Sequence, residues 1–223
     1  MSFAVLTGRY VEAATRAGHD HQENHVHRII AIELMTLDGV VEDPDGSFGS
    51  PIGGWALRHG PETFAGDKFQ LGPLMDTGAL VLGRATWELF AERWPSRAGG
   101  FADAMNRVPK LVASRTLGSV DAWAGSCLID GDLIEAVERE RAVRDLIVVG
   151  STSIVHALAA RDLIDEYRLL LVPWAVGAGT RWFAPDATPQ HLRLVAADAE
   201  AGNGTVLLRY ERAVDEREEA PAG

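Results

Sequence analysis

One cysteine in 223 residues, Cys127, rules out two large classes of protein at the outset. No disulfide can form within the chain, and no cluster of thiolates can hold a metal. Cys127 itself reads as a small buried residue of a strand. Long apolar runs are missing as well, so no stretch is expected to cross a bilayer as a helix, and no signal-peptide pattern is present. Basic charge is scarce: 21 Lys and Arg stand against 32 Asp and Glu, a formal net charge of −11. No basic stripe offsets it, which argues against nucleic acid or an anionic membrane surface as a partner. The expected setting is the cytoplasm, and the expected partner is a small molecule.

What is present is a repeated junction. Ala79-Leu80-Val81-Leu82 is an apolar run of strand length that meets Gly83, Arg84, Ala85 and Thr86. A helical pattern follows, with Trp87, Phe90, Ala91 and Trp94 on one face until Pro95 stops it. A strand that breaks at Gly-Arg and opens a helix presents free backbone amides beside a guanidinium, which suits a phosphate. Leu146-Ile147-Val148-Val149 runs in the same way into Gly150-Ser151-Thr152. Gly150 lets a backbone approach a pyrophosphate closely, and Ser151 and Thr152 are good helix N-caps. Two such junctions in one small domain point to a dinucleotide. The G-x-G-x-x-G fingerprint of the Rossmann fold occurs at neither.

Helix and strand patterns alternate along the chain, so the class is α/β. Residues 1–27 read as a leader, 28–212 as one domain and 213–223 as a charged tail. The leader has a short helical pattern at Val11–Ala17, then His19, His21, His25 and His27. No acidic or Cys partner at helical spacing turns these histidines into a metal site, so no metal is expected. Arg28–Met35 reads as the first, central strand. The stretch from Glu42 to Gly60 is rich in Gly, Pro, Asp and Ser and reads as a long binding loop or lid. Asn203 between two glycines, flanked by Leu192–Val195 and Val206–Tyr210, marks a closing hairpin.

At the first junction, Leu82-Gly83-Arg84-Ala85-Thr86-Trp87-Glu88 resembles the G-R-x-T-[WFY]-E segment of dihydrofolate reductase-like proteins. Thr36-Leu37-Asp38-Gly39-Val40-Val41 is similar to the S-L-D-G-x-I segment of the bacterial riboflavin-biosynthesis reductases, the RibD C-terminal domain type, with Thr36 in place of Ser. Lys110-Leu111-Val112-Ala113-Ser114-Arg115-Thr116 resembles the family's K-x-V-x-S-x-T segment. Leu163-Ile164-Asp165-Glu166 with Pro173 and Gly177-Ala178-Gly179-Thr180-Arg181-Trp182-Phe183 resembles its ending. The four segments stand in the right order over roughly Arg28 to Arg212.

The resemblance implies a dihydrofolate reductase-like fold: a mixed, mostly parallel sheet flanked by helices, with a C-terminal antiparallel hairpin. It implies an NADPH-dependent reductase that transfers a hydride to a C=N-type bond of a small heterocyclic or aminopyrimidine-like substrate. Gly83, Arg84, Thr86, Gly150, Ser151 and Thr152 would bind the cofactor, with Ser114 and Arg115 on its adenosine side. Two guanidiniums, Arg84 and Arg115, would favour NADPH over NADH. For Arg115 the alternative is a solvated strand-end charge. Ser151 stands where many members have a second glycine, and it can either donate a hydrogen bond or crowd the cofactor. Thr36 and Asp38 would border the nicotinamide, Asp38 bonding substrate or relaying a proton; the alternative is an Asx turn before Gly39.

Trp55 can cap a flat ring or fill a core or dimer interface, and Arg58 can bind a ribose phosphate. Dihydrofolate reductases carry an acid in the helix after the first loop; here Glu62 is nearest in order, at a helix start. The zinc deaminase motif that accompanies the riboflavin-pathway reductase cannot be built with one cysteine. A stand-alone homodimer follows by analogy, with Trp174 and Trp182 at the contact. The alternative function is a non-catalytic dimeric nucleotide-binding or scaffold protein on the same fold.

Overall fold

A computed structural model describes residues 27–213. Val11–Ala17, His19, His21, His25 and nearly all of the expected tail lie outside the described residues. The chain enters the sheet with β1 (Ile29–Thr36), then makes α1 (Trp55–His59), a 3-10 turn at Pro61–Phe64 and α2 (Leu74–Thr77). Next come β2 (Ala79–Gly83), α3 (Arg84–Arg93), α4 (Phe101–Arg107), β3 (Lys110–Ala113) and β4 (Ser126–Leu128). The chain continues through α5 (Leu133–Arg141), β5 (Leu146–Val149) and α6 (Thr152–Ala159), and ends with β6 (Glu166–Val172), β7 (Leu192–Ala199) and β8 (Val206–Arg212).

Among the described residues these strands form one eight-stranded sheet in the order β4-β3-β2-β5-β1-β6-β8-β7. The first six in that order are parallel. β8 runs antiparallel to both β6 and β7. This is the mixed, mostly parallel α/β sheet with a C-terminal hairpin. β6 ends at Val172 because Pro173 has no amide for the ladder.

The central strands are apolar on both sides because helices cover both faces. On one face Ile29, Ala31, Val81 and Val148 pack against Val137 of α5 and Ile154 and Leu158 of α6. On the other, Ile30, Ile32, Leu80 and Ile147 pack against Trp87 of α3 and Met105 of α4. Each fully buried aliphatic side chain in these layers contributes about 1.5–3 kcal/mol. α5 starts where Asp132 accepts the amides of Ile134 and Glu135 through its side chain.

Buried charge ties loops to this frame. Lys110 is fully buried, with its ammonium donating to the carbonyls of Asn106 at 2.8 Å and Ala124 at 3.0 Å and standing 4.2 Å from the centre of the Trp123 ring. Burial lowers its pKa from 10.5 to about 8. Arg168 is buried on β6 and pairs with Glu166 at 2.6 Å. It also donates to the carbonyls of Phe69 and Gln70, which fixes the loop before α2. Two expectations are corrected. Cys127 is exposed, because β4 is a short edge strand. Trp182 is fully buried against the α6 side of the sheet, with His156 Nε2 2.8 Å from its carbonyl oxygen, and so is not a surface for a second copy.

Candidate active site

β2 and β5 lie side by side and leave the sheet in opposite directions, β2 into α3 on one face and β5 into α6 on the other. That divergence opens a crevice beyond the carboxyl ends of the strands. Glycines form both lips. Gly83 has an ordinary extended backbone, so its need is for space: a Cβ there would stand 2.8 Å from Ser151 Oγ. Gly150 has φ +58, in the left-handed region, and a Cβ there would lie 3.3 Å from Thr86 Oγ1 and 3.4 Å from Glu33 Oε2.

Ser151 is left-handed too, with φ 54 and ψ 60, which is unfavourable for a residue bearing a Cβ. Its side chain does not cap α6, contrary to expectation. The backbone turn carries the hydroxyl across the crevice instead. There it accepts the Gly83 amide at 2.7 Å and lies 3.1 Å from Thr86 Oγ1. The serine thus bridges the crevice at its polar end. α3 and α6 carry no acid in their first turns, so the partial positive charge of both N-termini is not neutralised locally.

The crevice opens into a cavity of about 700 Å³. Thr86, Gly150, Ser151, Thr152 and Ser153 line its polar end, and Leu34, Phe69, Leu71, Leu89, Phe90 and Met105 line its apolar wall. The long loop after β1 supplies another side through Glu42, Asp43, Asp45 and Phe48. Asp43 shapes that loop by accepting the amides of Phe48 at 3.0 Å and Ser50 at 2.9 Å. Arg93 of α3 holds the loop down through Asp45 and Ser47.

Glu33 is the residue that sequence reasoning missed. β5 stops at Val149, opposite Ile32, whereas β1 continues beside β6 to Thr36. The edge of β1 beyond Ile32 is therefore unpaired on the β5 side. Leu34, the next amide along that edge, donates to Glu33 Oε1 at 2.9 Å. The carboxyl lines the cavity beside Gly150 and Thr86. Burial pushes its pKa up from 4.5 to about 8, against the smaller opposing effect of the Leu34 amide. The only sequence signal was an isolated acid in an apolar strand, Ile-Ala-Ile-Glu-Leu-Met. Thr63 is also buried on the cavity wall, and its hydroxyl has no hydrogen-bond partner among the described residues.

The structure brings Gly83, Thr86, Gly150, Ser151 and Thr152 together at the crevice. Arg84 is exposed at the start of α3 and pairs with Glu88 at 3.2 Å. Ser114 accepts the amides of Thr116 and Leu117, and this turn ends β3 at Ala113; Arg115 beside it is exposed. Neither Ser114 nor Arg115 lines the cavity. Thr36 is buried, donating to Asp38 at 2.7 Å and accepting the Val40 amide at 2.9 Å. Asp38 also accepts the amides of Gly177 at 2.7 Å and Val176 at 3.2 Å. The Thr36 hydroxyl and those amides hold its pKa down to about 2. Both residues act as a clasp between the end of β1 and the 176–177 segment and stand outside the cavity lining. Trp55 is fully buried behind the loop, donating to the Glu42 carbonyl at 2.9 Å. Arg58 is exposed, with its guanidinium 5.5 Å from the Trp174 ring centre. Glu62 is exposed and also stands outside the lining.

The sequence profile of the family described as RibD C-terminal domain matches residues 27–207. Among solved structures, a protein ascribed to riboflavin biosynthesis from Shewanella sp. PV-4 superposes with a TM-score of 0.64 at 18% identity, over 84% of this chain and 99% of that one. A pyrimidine reductase-like protein from Corynebacterium diphtheriae gives 0.57 at 13% identity, over 85% and 93%. Dihydrofolate reductase from Enterococcus faecalis, complexed with NADP(H) and RAB-propyl, gives 0.50 at 14%, over 84% and 97%. These likenesses show a dihydrofolate reductase-like fold. Among curated proteins none matches the chain.

Proposed function

The chain belongs to the RibD C-terminal domain family, and from that premise we propose that it is an NADPH-dependent reductase. Its substrate would be a small heterocyclic or aminopyrimidine-like compound with a C=N-type bond. The observation that carries this reading is the crevice between Gly83 and Gly150, where two helix N-termini without acids open on a largely apolar cavity. Amides and dipole at such a place favour a pyrophosphate, and the cavity beyond has room for flat rings.

The residues present fit the cofactor. Gly150 keeps open a gap that any Cβ would fill, and Gly83 and Ser151 hold the two strand ends at fixed separation. Thr86, Ser151 and Thr152 would contact the pyrophosphate, with Ser114 and Arg115 toward the adenosine. Arg84 supports an anion on different grounds. A cation at a helix N-terminus opposes the helix dipole by about 0.3–1 kcal/mol, and Arg84 precedes Glu88, the weaker order for such a pair. A bound 2′-phosphate would offset that cost. When bound, the cofactor supplies the hydride. The protein orients the rings and excludes water, through the loop that Asp43 and Arg93 hold over the cavity. Thr36 and Asp38 act by fixing the end of β1, Trp55 by backing the loop, and Arg58 at its outer side.

The same reading includes a homodimer and a cytoplasmic setting. β7 is an edge strand with Leu194 50% and Val195 40% exposed, and a second copy would cover it. A single, exposed cysteine suits a reducing compartment. Oxidation of NADPH by the protein with a panel of pterins and aminopyrimidines tests the reaction. Turnover above the protein-free rate supports it. Cofactor binding with no turnover across the panel would favour the non-catalytic binding module.

A further inference from the structure

Among the described residues, the cavity lining holds an acid, Glu33, that no cation neutralises. Its lining cations are engaged elsewhere: Lys68 with Glu200 at 2.6 Å, Arg93 with Asp45, and Arg97 over the Trp94 ring at 5.1 Å. The other acids of the lining have their own donors. Glu42 accepts the Ser50 hydroxyl at 2.6 Å and the Thr180 amide at 2.9 Å, and Asp43 accepts two amides. Glu33 has only the Leu34 amide, on Oε1, which leaves Oε2 toward the gap beside Gly150. The orphaned Thr63 hydroxyl on the same cavity wall is a second polar group without a partner among the described residues.

We infer that Glu33 is the proton donor of this site and that its partner is a basic ring or imine nitrogen of the substrate. The inference rests on the reductase reading above and adds to it the residue that completes the reaction. Reduction of a C=N bond needs a hydride on carbon and a proton on nitrogen. With the cofactor bound, the carbon would take its hydride from the dihydronicotinamide, which would be oxidised in giving it. The C=N π pair moves to nitrogen, and that nitrogen takes the proton from Glu33 Oε2. Glu33 is left as a carboxylate and regains its proton from water. A carboxyl that keeps its proton at neutral pH can do this, and one ionised near 4 cannot. Thr63, with both a donor and acceptor to offer, suits an exocyclic amino or carbonyl group of the same ring.

Glu33→Gln is the informative variant, because the amide oxygen can still accept the Leu34 amide while the proton is lost. Three readouts on the full chain separate the possibilities. First, NMR of carboxyl-labelled glutamate, with the Glu33 signal assigned by its loss in the variant, should titrate with a midpoint near 8. A midpoint in the ordinary carboxylate range overturns the inference. Second, 2,4-diaminopyrimidine, whose absorption changes on protonation, is added in buffer where the free base is neutral. The wild type should give the spectrum of the protonated ring and bind it at least about tenfold more tightly than Glu33→Gln. No protonated spectrum with the wild type, or the same spectrum with the variant, overturns it. Third, calorimetric titration with NADPH reads the cofactor proposal separately. If neither protein binds NADPH, the reductase reading fails while the first two readouts still decide whether Glu33 delivers a proton. Should Glu33→Gln unfold, Glu33→Asp is the second variant. Its shorter side chain keeps the acid but withdraws it from the probe, and loss of the protonated spectrum is expected.

Discussion

The Ser151 hydroxyl accepts the Gly83 amide at 2.7 Å, and this one bond joins the ends of β2 and β5 across the crevice. It is made possible by a left-handed serine, so two opposing energies meet in one residue. Ser151→Ala removes the bond but keeps the unfavourable backbone, and should cost about 1–3 kcal/mol. Ser151→Gly removes both and should be more stable than the alanine variant by about 1 kcal/mol. Denaturant unfolding of the three proteins gives the order; an alanine variant as stable as the wild type would contradict the clasp.

Arg84 is more than half exposed, and its pair with Glu88 is a surface contact worth about 0–1 kcal/mol. Arg84→Ala should therefore leave stability within about 0.5 kcal/mol of the wild type. Under the proposed function it weakens NADPH more than NADH. Equal weakening of the two cofactors, measured by titration, would remove Arg84 from the 2′-phosphate.

Asp38→Asn is expected to leave NADPH affinity nearly intact, since Asp38 lies outside the cavity lining. Its effect should appear at the 176–177 segment, where the amides of Val176 and Gly177 lose a charged acceptor. Amide exchange at Gly177 should quicken by roughly tenfold, the equivalent of one such bond. The acid limb has the sign of a depressed carboxyl. The Asp38 contribution is whole above its unfolded value of 3.8 and is lost as the pH falls through about 2. Unchanged exchange at Gly177 would show that the clasp is not formed.

Glu33 gives the opposite slope. Its folded pKa, about 8, lies above the unfolded value of 4.5. Its stabilising contribution is whole below 4.5 and declines as the pH rises through that window. Glu33→Gln should match the wild type near pH 4.5 and become the more stable protein toward pH 8, by a few kcal/mol at most. Thermal unfolding across this range checks it, and parallel curves would mean that Glu33 is already ionised.

The parts of the fold set by local pattern were legible in the sequence. Leu146–Val149 and Ala79–Leu82 are continuous apolar runs, and such runs need cover on both faces. Asn203 between glycines marked the β7–β8 hairpin, and both strand-to-helix glycines stand at the crevice. What was not legible depends on where distant strands stop. Glu33 opens on the cavity because β5 ends opposite Ile32 while β1 continues, a relation between residues far apart in sequence. Ser151 reads as a cap by residue type, but a left-handed φ redirects its hydroxyl. Trp182 reads as a surplus aromatic until packing beneath α6 buries it.

The central claim is that the crevice between Gly83 and Gly150 holds a phosphorylated nicotinamide dinucleotide. Calorimetric titration of the purified chain with NADPH and, in parallel, NADH tests it most directly. The account predicts one site with tighter binding of NADPH, weakened when Gly150→Ala fills the gap between Thr86 and Glu33. No heat of binding with either dinucleotide would contradict it.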